Sequence, residues 1–465
     1  MPLKNKDNFS FVGYCPPGET TVSHPVNFYI KDKNESSWAV KSLATRLQRS
    51  IPKEEQIKTG FIETIAGEIA RLVLGSSQPK TRLMEKNVEN NTAYFVLSKE
   101  IPEFNELYFC ENKNYYKAIQ SKEITGLGGV LVLALWLDDI DVKQRGNIGV
   151  NDSGQVVKID WDCSLNDMHK IEPDPQGMIT AEDIKLLPNI ANFHAYQWLS
   201  FVTEGCNEAI LKIIIDSAPM LDDQYPQVSQ QQFDQSIKTN PRNTKVFDEE
   251  VRDKINLIAD CIGKVKVGFP VYNLLRFFLV KRTPENLQQK LDLMQKNASE
   301  ITELDSFRLE VNQTILRIIL LPESLIEKFS QCYVPDDSEE SSQLASKIIK
   351  ILIERQQQLI QAVQEVESFH LYMGSKQAED DIRSCYISSI NSFKTMGKSF
   401  LVEETESDVL KDKIRIKFKK FKNDFAATTN KMDNPSGSHQ TFFSSASSSQ
   451  QPNYPSSSHT RRFGS

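Results

Sequence analysis

Aspartates and asparagines crowd the stretch from Leu137 to Asp162. It reads Leu137-Asp138-Asp139-Ile140-Asp141-Val142-Lys143-Gln144-Arg145-Gly146-Asn147-Ile148-Gly149-Val150 and, after a short turn, Val157-Lys158-Ile159-Asp160-Trp161-Asp162. An apolar run leads into a polar loop with an Asp and an Asn, a tight hairpin follows, and its second strand ends on another Asp. Phosphoryl transfer requires such a set. One carboxylate orients the attacking hydroxyl, while an Asn oxygen and a second carboxylate hold divalent metal ions on the nucleotide phosphates. Asn147 and Asp160 would lie at the two ends of the paired strands, so a short hairpin is a stiff way to bring both onto one metal. Asp, Asn and Gly are also ordinary turn residues, and taken alone the segment fits a surface hairpin as well.

The elements around this loop follow from the hydrophobic pattern. Val26–Ile30 and Ser37–Lys41 flank the polar turn Asp32-Lys33-Asn34-Glu35, a hairpin signal. Ile62, Ile65, Ala66, Ile69, Leu72 and Val73 recur at helical spacing, and Gly75-Ser76-Ser77 ends that run. Strands are expected at Thr81–Met84 and Ala93–Leu97, and a buried helix from Glu123 to Leu137. Asn151-Asp152-Ser153-Gly154 is a strong turn between strands Ile148–Val150 and Val156–Ile159. From Ala181 onward the pattern is helical, apart from a polar stretch at about 222–243. Strands and helices followed by helices alone is an α+β pattern.

In this order the residues resemble the protein kinase-like fold. Asp141-x-Lys143 followed by Asn147 looks like the kinase catalytic loop, and Ile159-Asp160-Trp161 looks like the metal-binding Asp-Phe-Gly of protein kinases or the Ile-Asp-Phe of phosphoinositide and HipA-like kinases. Trp38-Ala39-Val40-Lys41 looks like the strand whose Lys pairs with the nucleotide phosphates. The nearest likeness is to kinase-like type IV effectors of intracellular bacteria such as Legionella. There a Glu-x-x-Ala-Gly-Glu-Ile-Ala-Arg helix, a Gln-Pro-Lys-Thr-Arg-Leu strand and a Gly-Asn-Ile-Gly-Val loop recur, here Glu63 to Arg71, Gln78 to Leu83 and Gly146 to Val150. The resemblance spans about residues 25–210. It implies ATP and Mg²⁺ as cofactors, Asp141 as the base, Lys143 on the transferring phosphate, and Asn147 and Asp160 on metal. It further implies Lys41 on the nucleotide phosphates, held by Glu63, and Lys99, Glu100 and Ile101 as the hinge beside adenine. The implied acceptor is a phosphoinositide, slightly favoured, or a host protein.

Some positions stay open. Kinase loops place the Asn five residues after the base, whereas Asp141 to Asn147 is six, so Asp139 is the main substitute for Asp141. Glu63 and Glu68 cannot both face Lys41, since five helical residues separate them by about 140°; Glu63 is preferred, and Glu68 is expected to be solvated. Asp162 competes with Asp160 for the metal. No G-x-G-x-x-G precedes Lys41, and the catalytic-loop His is missing. These departures support a second reading, an inactive pseudokinase serving as a host-protein or membrane binding module.

Composition excludes several classes. With 39 % hydrophobic residues the 465-residue chain is not disordered throughout, and a net charge of -7 gives no global field for nucleic acid. The longest uncharged apolar run, Leu127 to Leu137, is far short of the roughly 20 residues that span a bilayer. The start lacks an apolar signal-peptide core. Seven dispersed cysteines without a CxxC read as reduced thiols rather than a disulfide or zinc framework. This points to a reducing compartment; the resemblance implies the bacterial cytoplasm before translocation and the host cytosol, or a membrane facing it, afterwards.

The expected architecture is a bilobal kinase-like domain over residues 20–330, with lobes at about 20–104 and 105–330. An acidic, serine-rich break at 335–342 precedes a helical extension at 343–425, and a Ser-rich tail at 434–465 is expected to be disordered. Within the extension, residues 411–422 carry seven basic side chains and one acid, opposite an apolar stripe of Leu410, Ile414, Phe418 and Phe421. Such a helix suits an anionic membrane surface, and equally suits packing of its stripe on neighbouring helices.

Overall fold

Alternation along the strands decides which side chains meet. The structure, a computed structural model, describes residues 9–14, 26–46, 49–88, 91–106, 114–139, 142, 147–165, 178–185, 187, 300–334, 338–383 and 404–432. The first strands are β1 (Phe9–Tyr14), β2 (Val26–Asp32) and β3 (Ser37–Ser42); a short pair, β4 (Thr45–Arg46) and β5 (Arg49–Ser50), precedes β6 (Thr81–Val88) and β7 (Asn91–Lys99). The longer five form one antiparallel sheet in the order β1-β2-β3-β7-β6. Trp38 and Val40 join Ile30, Met84, Phe95 and Leu97 in an apolar cluster on one face. Lys41, in register with Val96, takes the opposite face, where Leu83, Tyr94 and Val96 cluster. Helix α1 (Lys53–Leu74) lies against β6 and β7 and buries Ile62, Ile65, Ile69 and Leu72.

A second sheet has the order β10-β9-β8, with β8 at Asn105–Glu106, β9 at Ile148–Val150 and β10 at Val156–Lys158. Its turn is built by Asn151, whose side chain accepts from Ser153 N at 3.0 Å and Gln155 N at 2.9 Å. Short helices α2 (Asn114–Gln120) and α4 (Ala181–Lys185) flank α3 (Leu127–Trp136). The expected helix from Glu123 starts only at Leu127, because Gly126 adopts a left-handed φ of 89° and Thr125 bridges to Gln155. Every residue of α3 is apolar or glycine, so it cannot cap itself. Glu310 accepts from Gly126 N (2.7 Å) and Gly128 N (3.0 Å) at one end. Arg355 donates to Leu135 O (2.6 Å) and Trp136 O (2.8 Å) at the other. An anion at the N-terminus and a cation at the C-terminus also suit the helix dipole.

Both caps come from the C-terminal helices: α5 (Asp305–Leu320), α6 (Glu323–Gln331), α7 (Glu339–Ala362), α8 (Glu367–Gly374) and α9 (Glu404–Met432). These helices share one apolar cluster with α1 and α3. The helical stretch that begins in the sequence at 343 therefore lies on the same core as the elements around the polar loop. On α9 the apolar stripe is covered: Ile414, Phe418 and Phe425 are buried in that cluster, while Ile416 stands 68 % exposed among the charges. The chain is thus a mixed α/β fold, with an antiparallel sheet in its N-terminal part and helices in its C-terminal part. Among the described residues no helix is long and apolar enough to cross a membrane.

Candidate active site

Three separate elements converge on Lys41. Its ammonium lies 2.6 Å from Asp160 Oδ1, 3.1 Å from Glu63 Oε1 and 3.8 Å from Asp162 Oδ2. Lys41 stands on β3, Glu63 on α1, and the two aspartates directly after β10. Burial alone would push the Lys41 ammonium down, but Asp160, Glu63 and Asp162 outweigh it and hold it well above its ordinary value. Burial also pushes the Glu63 carboxyl up; Lys41 opposes this and the two aspartates add to it, leaving Glu63 at about 8. The two shifts agree once charges are counted: one ammonium faces three carboxylates, so the deepest carboxyl keeps its proton longest. Glu63 Oε2 is buried without a hydrogen-bond partner. Asp162, the competitor for the metal, also lies toward Lys41, though farther from it than Asp160.

This arrangement suits a divalent cation. Mg²⁺ takes hard oxygen ligands and normally shares them with phosphates and water. Surplus carboxylate charge, with the Asp160 side chain 27 % exposed, offers that chemistry. Among the described residues no group of three or more His, Cys, Asp or Glu is placed to hold a metal ion by itself. Asn147 directly precedes the partner strand, and its carbonyl accepts from Ile159 N at 2.8 Å, so it sits at the Asp160 end of the hairpin. Asp141 and Lys143, the expected base and phosphate contact, lie outside the described residues. Asp139, the substitute base, is 1 % exposed and engaged with Lys158 at 3.3 Å and Ser164 Oγ at 2.9 Å.

The expected hinge residues join the two sheets. Lys99 N donates to Lys80 O (2.8 Å) and Glu100 N to Ser37 O (3.0 Å), after which the chain passes Ile101 and enters β8. Gly149 permits β8 to approach β9, since a Cβ there would overlap the Phe104 ring and the Asn105 carbonyl. Tyr14 and Val26, the ends of β1 and β2, lie at the Lys41 end of the sheet, where Val26 pairs with Lys41 itself. The residues joining them, 15–25, lie outside the described set.

The sequence motifs turn out to hold one another. Glu68 is fully buried rather than solvated. It accepts from Thr81 N (2.8 Å), Arg82 (2.8 Å), Arg71 (2.9 Å) and the Tyr333 hydroxyl (2.7 Å). Burial would raise its carboxyl; Arg82 and Arg71 hold it below the usual range. A Cβ on Gly67 would collide with Thr81 Oγ1, so this glycine allows α1 to approach β6 closely. Gln78 clasps β10, donating to Val156 O and accepting from Lys158 N, both at 3.1 Å. Tyr333, Gln78 and Lys158 were not evident as site-supporting residues, because their partners lie 265, 80 and 19 positions away.

A family model described as the LepB N-terminal domain matches residues 87–254, well under half of the chain. The solved structure of the proinflammatory kinase CtkA of Helicobacter pylori is 16 % identical, with a TM-score of 0.22, and covers 62 % of this chain and 97 % of its own. No curated protein matches the chain.

Proposed function

We propose that the chain is an ATP- and Mg²⁺-dependent phosphotransferase with a kinase-like, two-lobed active region. One observation carries the reading: Lys41, Glu63 and Asp160, distant in sequence, meet within 3.1 Å of a single ammonium. In this role Lys41 binds the nucleotide phosphates and Glu63 keeps its side chain extended toward them. Asp160, with Asn147 across the hairpin, would hold Mg²⁺, with Asp162 beside it. Asp141 would orient the acceptor hydroxyl and Lys143 would meet the moving phosphoryl group. Lys99 to Ile101 would line the adenine. The metal, when bound, neutralises phosphate charge in the transition state.

The acceptor we favour is a phosphoinositide, on the strength of Ile159-Asp160-Trp161 and the basic outer face of α9, with a protein as the alternative. The motif likeness to translocated effectors supports action in a host cell. The test is incubation with labelled ATP, Mg²⁺ and either phosphoinositide vesicles or host lysate. Label in lipid supports the favoured acceptor, and label in protein supports the alternative. Stabilisation by ATP and Mg²⁺ without transfer in either would leave the non-catalytic binding module. Neither stabilisation nor transfer would end the reading.

A further inference from the structure

We propose that Lys158 and Asp139 form a buried positioning pair that sets the Asp160 carboxylate for metal binding without touching the reactants. The inference rests on the phosphotransferase reading and concerns how its metal carboxylate is held.

Lys158 is 0 % exposed, although it lies two residues before the proposed metal ligand. A buried ammonium is tolerated only where its charge and its N–H groups are matched. Here its Nζ lies 3.3 Å from Asp139 Oδ2 and donates to the carbonyls of Ile159 (3.3 Å) and Asp160 (2.5 Å). Each of these oxygens can accept one of the ammonium's N–H bonds. The ammonium also lies 4.8 Å from the centre of the Trp161 ring, an attractive cation–π placement. Asp139 is fixed in turn by the Ser164 hydroxyl at 2.9 Å.

The consequence falls on Asp160. It adopts a left-handed φ of 60°, which a residue with a side chain keeps only where its surroundings hold it. Lys158 grips its carbonyl from one side, and Ile159 N is tied to Asn147 O on the other. With the backbone held in that bend, the Asp160 side chain is turned to Lys41. Asp139 belongs to the loop that precedes the hairpin, so the pair links that loop to the metal carboxylate through one buried charge contact.

The test compares wild type, Lys158→Met and the double variant Lys158→Met/Asp139→Asn. The single change takes the Lys158 ammonium away from a buried carboxylate and can unfold the chain; the double change removes both charges and keeps the volume. For each protein that melts cooperatively, the Mg²⁺ concentration for half-maximal binding of a non-hydrolysable ATP analogue is measured beside its melting temperature. The pair predicts a midpoint raised about tenfold or more in the double variant, with the melting temperature within a few degrees of wild type. A wild-type midpoint in the folded double variant overturns the positioning role while leaving the phosphotransferase reading intact. A double variant that loses cooperative melting also overturns it, because the pair would then be structural. A wild type that binds no analogue at any Mg²⁺ concentration overturns the underlying reading and this inference together.

Discussion

At Glu63 one ammonium must serve three carboxylates, and the pH dependence of stability should register it. The carboxyl is pushed up from 4.5 to about 8, so the folded state holds this proton more tightly than the unfolded chain does. A group shifted this way favours folding fully below its unfolded value, and the benefit is lost as pH rises through the folded value. Lys41 is shifted up as well, but its contribution is lost only above its ordinary 10.5. Without nucleotide or metal, this group should therefore lower the melting temperature as pH rises from about 4.5 to about 8, with no further fall above that, and Glu63→Gln should flatten that fall. A wild-type profile already flat from pH 6 to about 9 would contradict the charge count. For turnover, Asp160→Ala should cost on the order of 10² to 10³ in rate, as expected for a lost transition-state charge contact. Asp162→Ala should cost less, since Asp162 lies 3.8 Å from Lys41 against 2.6 Å for Asp160. Comparable losses in steady-state ATP turnover would make the two carboxylates equal metal ligands. Lys41, Glu63 and Asp160 are singled out in the sequence by the resemblance of their motifs, taken in order, to the kinase-like fold, not by periodicity. Lys158 is not: a strand lysine reads as solvated, and only the fold shows Asp139 beneath it.

The elements themselves were readable where turns and periodicity agreed. The Asp32 turn and the Asn151 turn both close through side-chain acceptors encoded within four residues, so local sequence is enough. The ends of α3 were not readable, because its caps arrive from Glu310 and Arg355, far along the chain. The basic helix shows the same limit. Its periodicity allowed either a membrane-facing or a packed stripe, and the packing of α9 on the core decides for the second. Lys417 then donates to Leu321 O at 3.0 Å, with burial pushing its ammonium down to about 8, and Lys422 pairs with Glu379 at 2.6 Å. The charges left on the outer face include Lys413, Lys419 and Lys420 around the exposed Ile416. Reversing these three to Glu should abolish salt-sensitive binding to anionic vesicles and leave the melting temperature nearly unchanged. Lys417→Glu should instead lower the melting temperature, with a loss of about 1–3 kcal/mol for the buried contact. Vesicle binding that survives the triple change would place any membrane surface elsewhere.

The chain joins its two halves at the candidate site. The N-terminal sheet supplies Lys41, α1 supplies Glu63, and the second hairpin supplies Asn147 and Asp160. The C-terminal helices then brace that set from behind, through Tyr333 on Glu68, Arg317 on Val73 O at 3.2 Å and Arg355 on the end of α3. Long-range contacts of this kind leave no periodic trace in a sequence, so the order of the motifs was evident but their bracing was not. If the convergence on Lys41 is a nucleotide site, the ammonium must exchange carboxylate contacts for phosphate ones when ATP and Mg²⁺ arrive. Isothermal titration of ATP with Mg²⁺ into wild type and Lys41→Met measures this directly. Saturable binding to wild type, weakened tenfold or more in Lys41→Met and dependent on Mg²⁺, is the predicted result. Equal binding by the two proteins, or none by wild type, would contradict it.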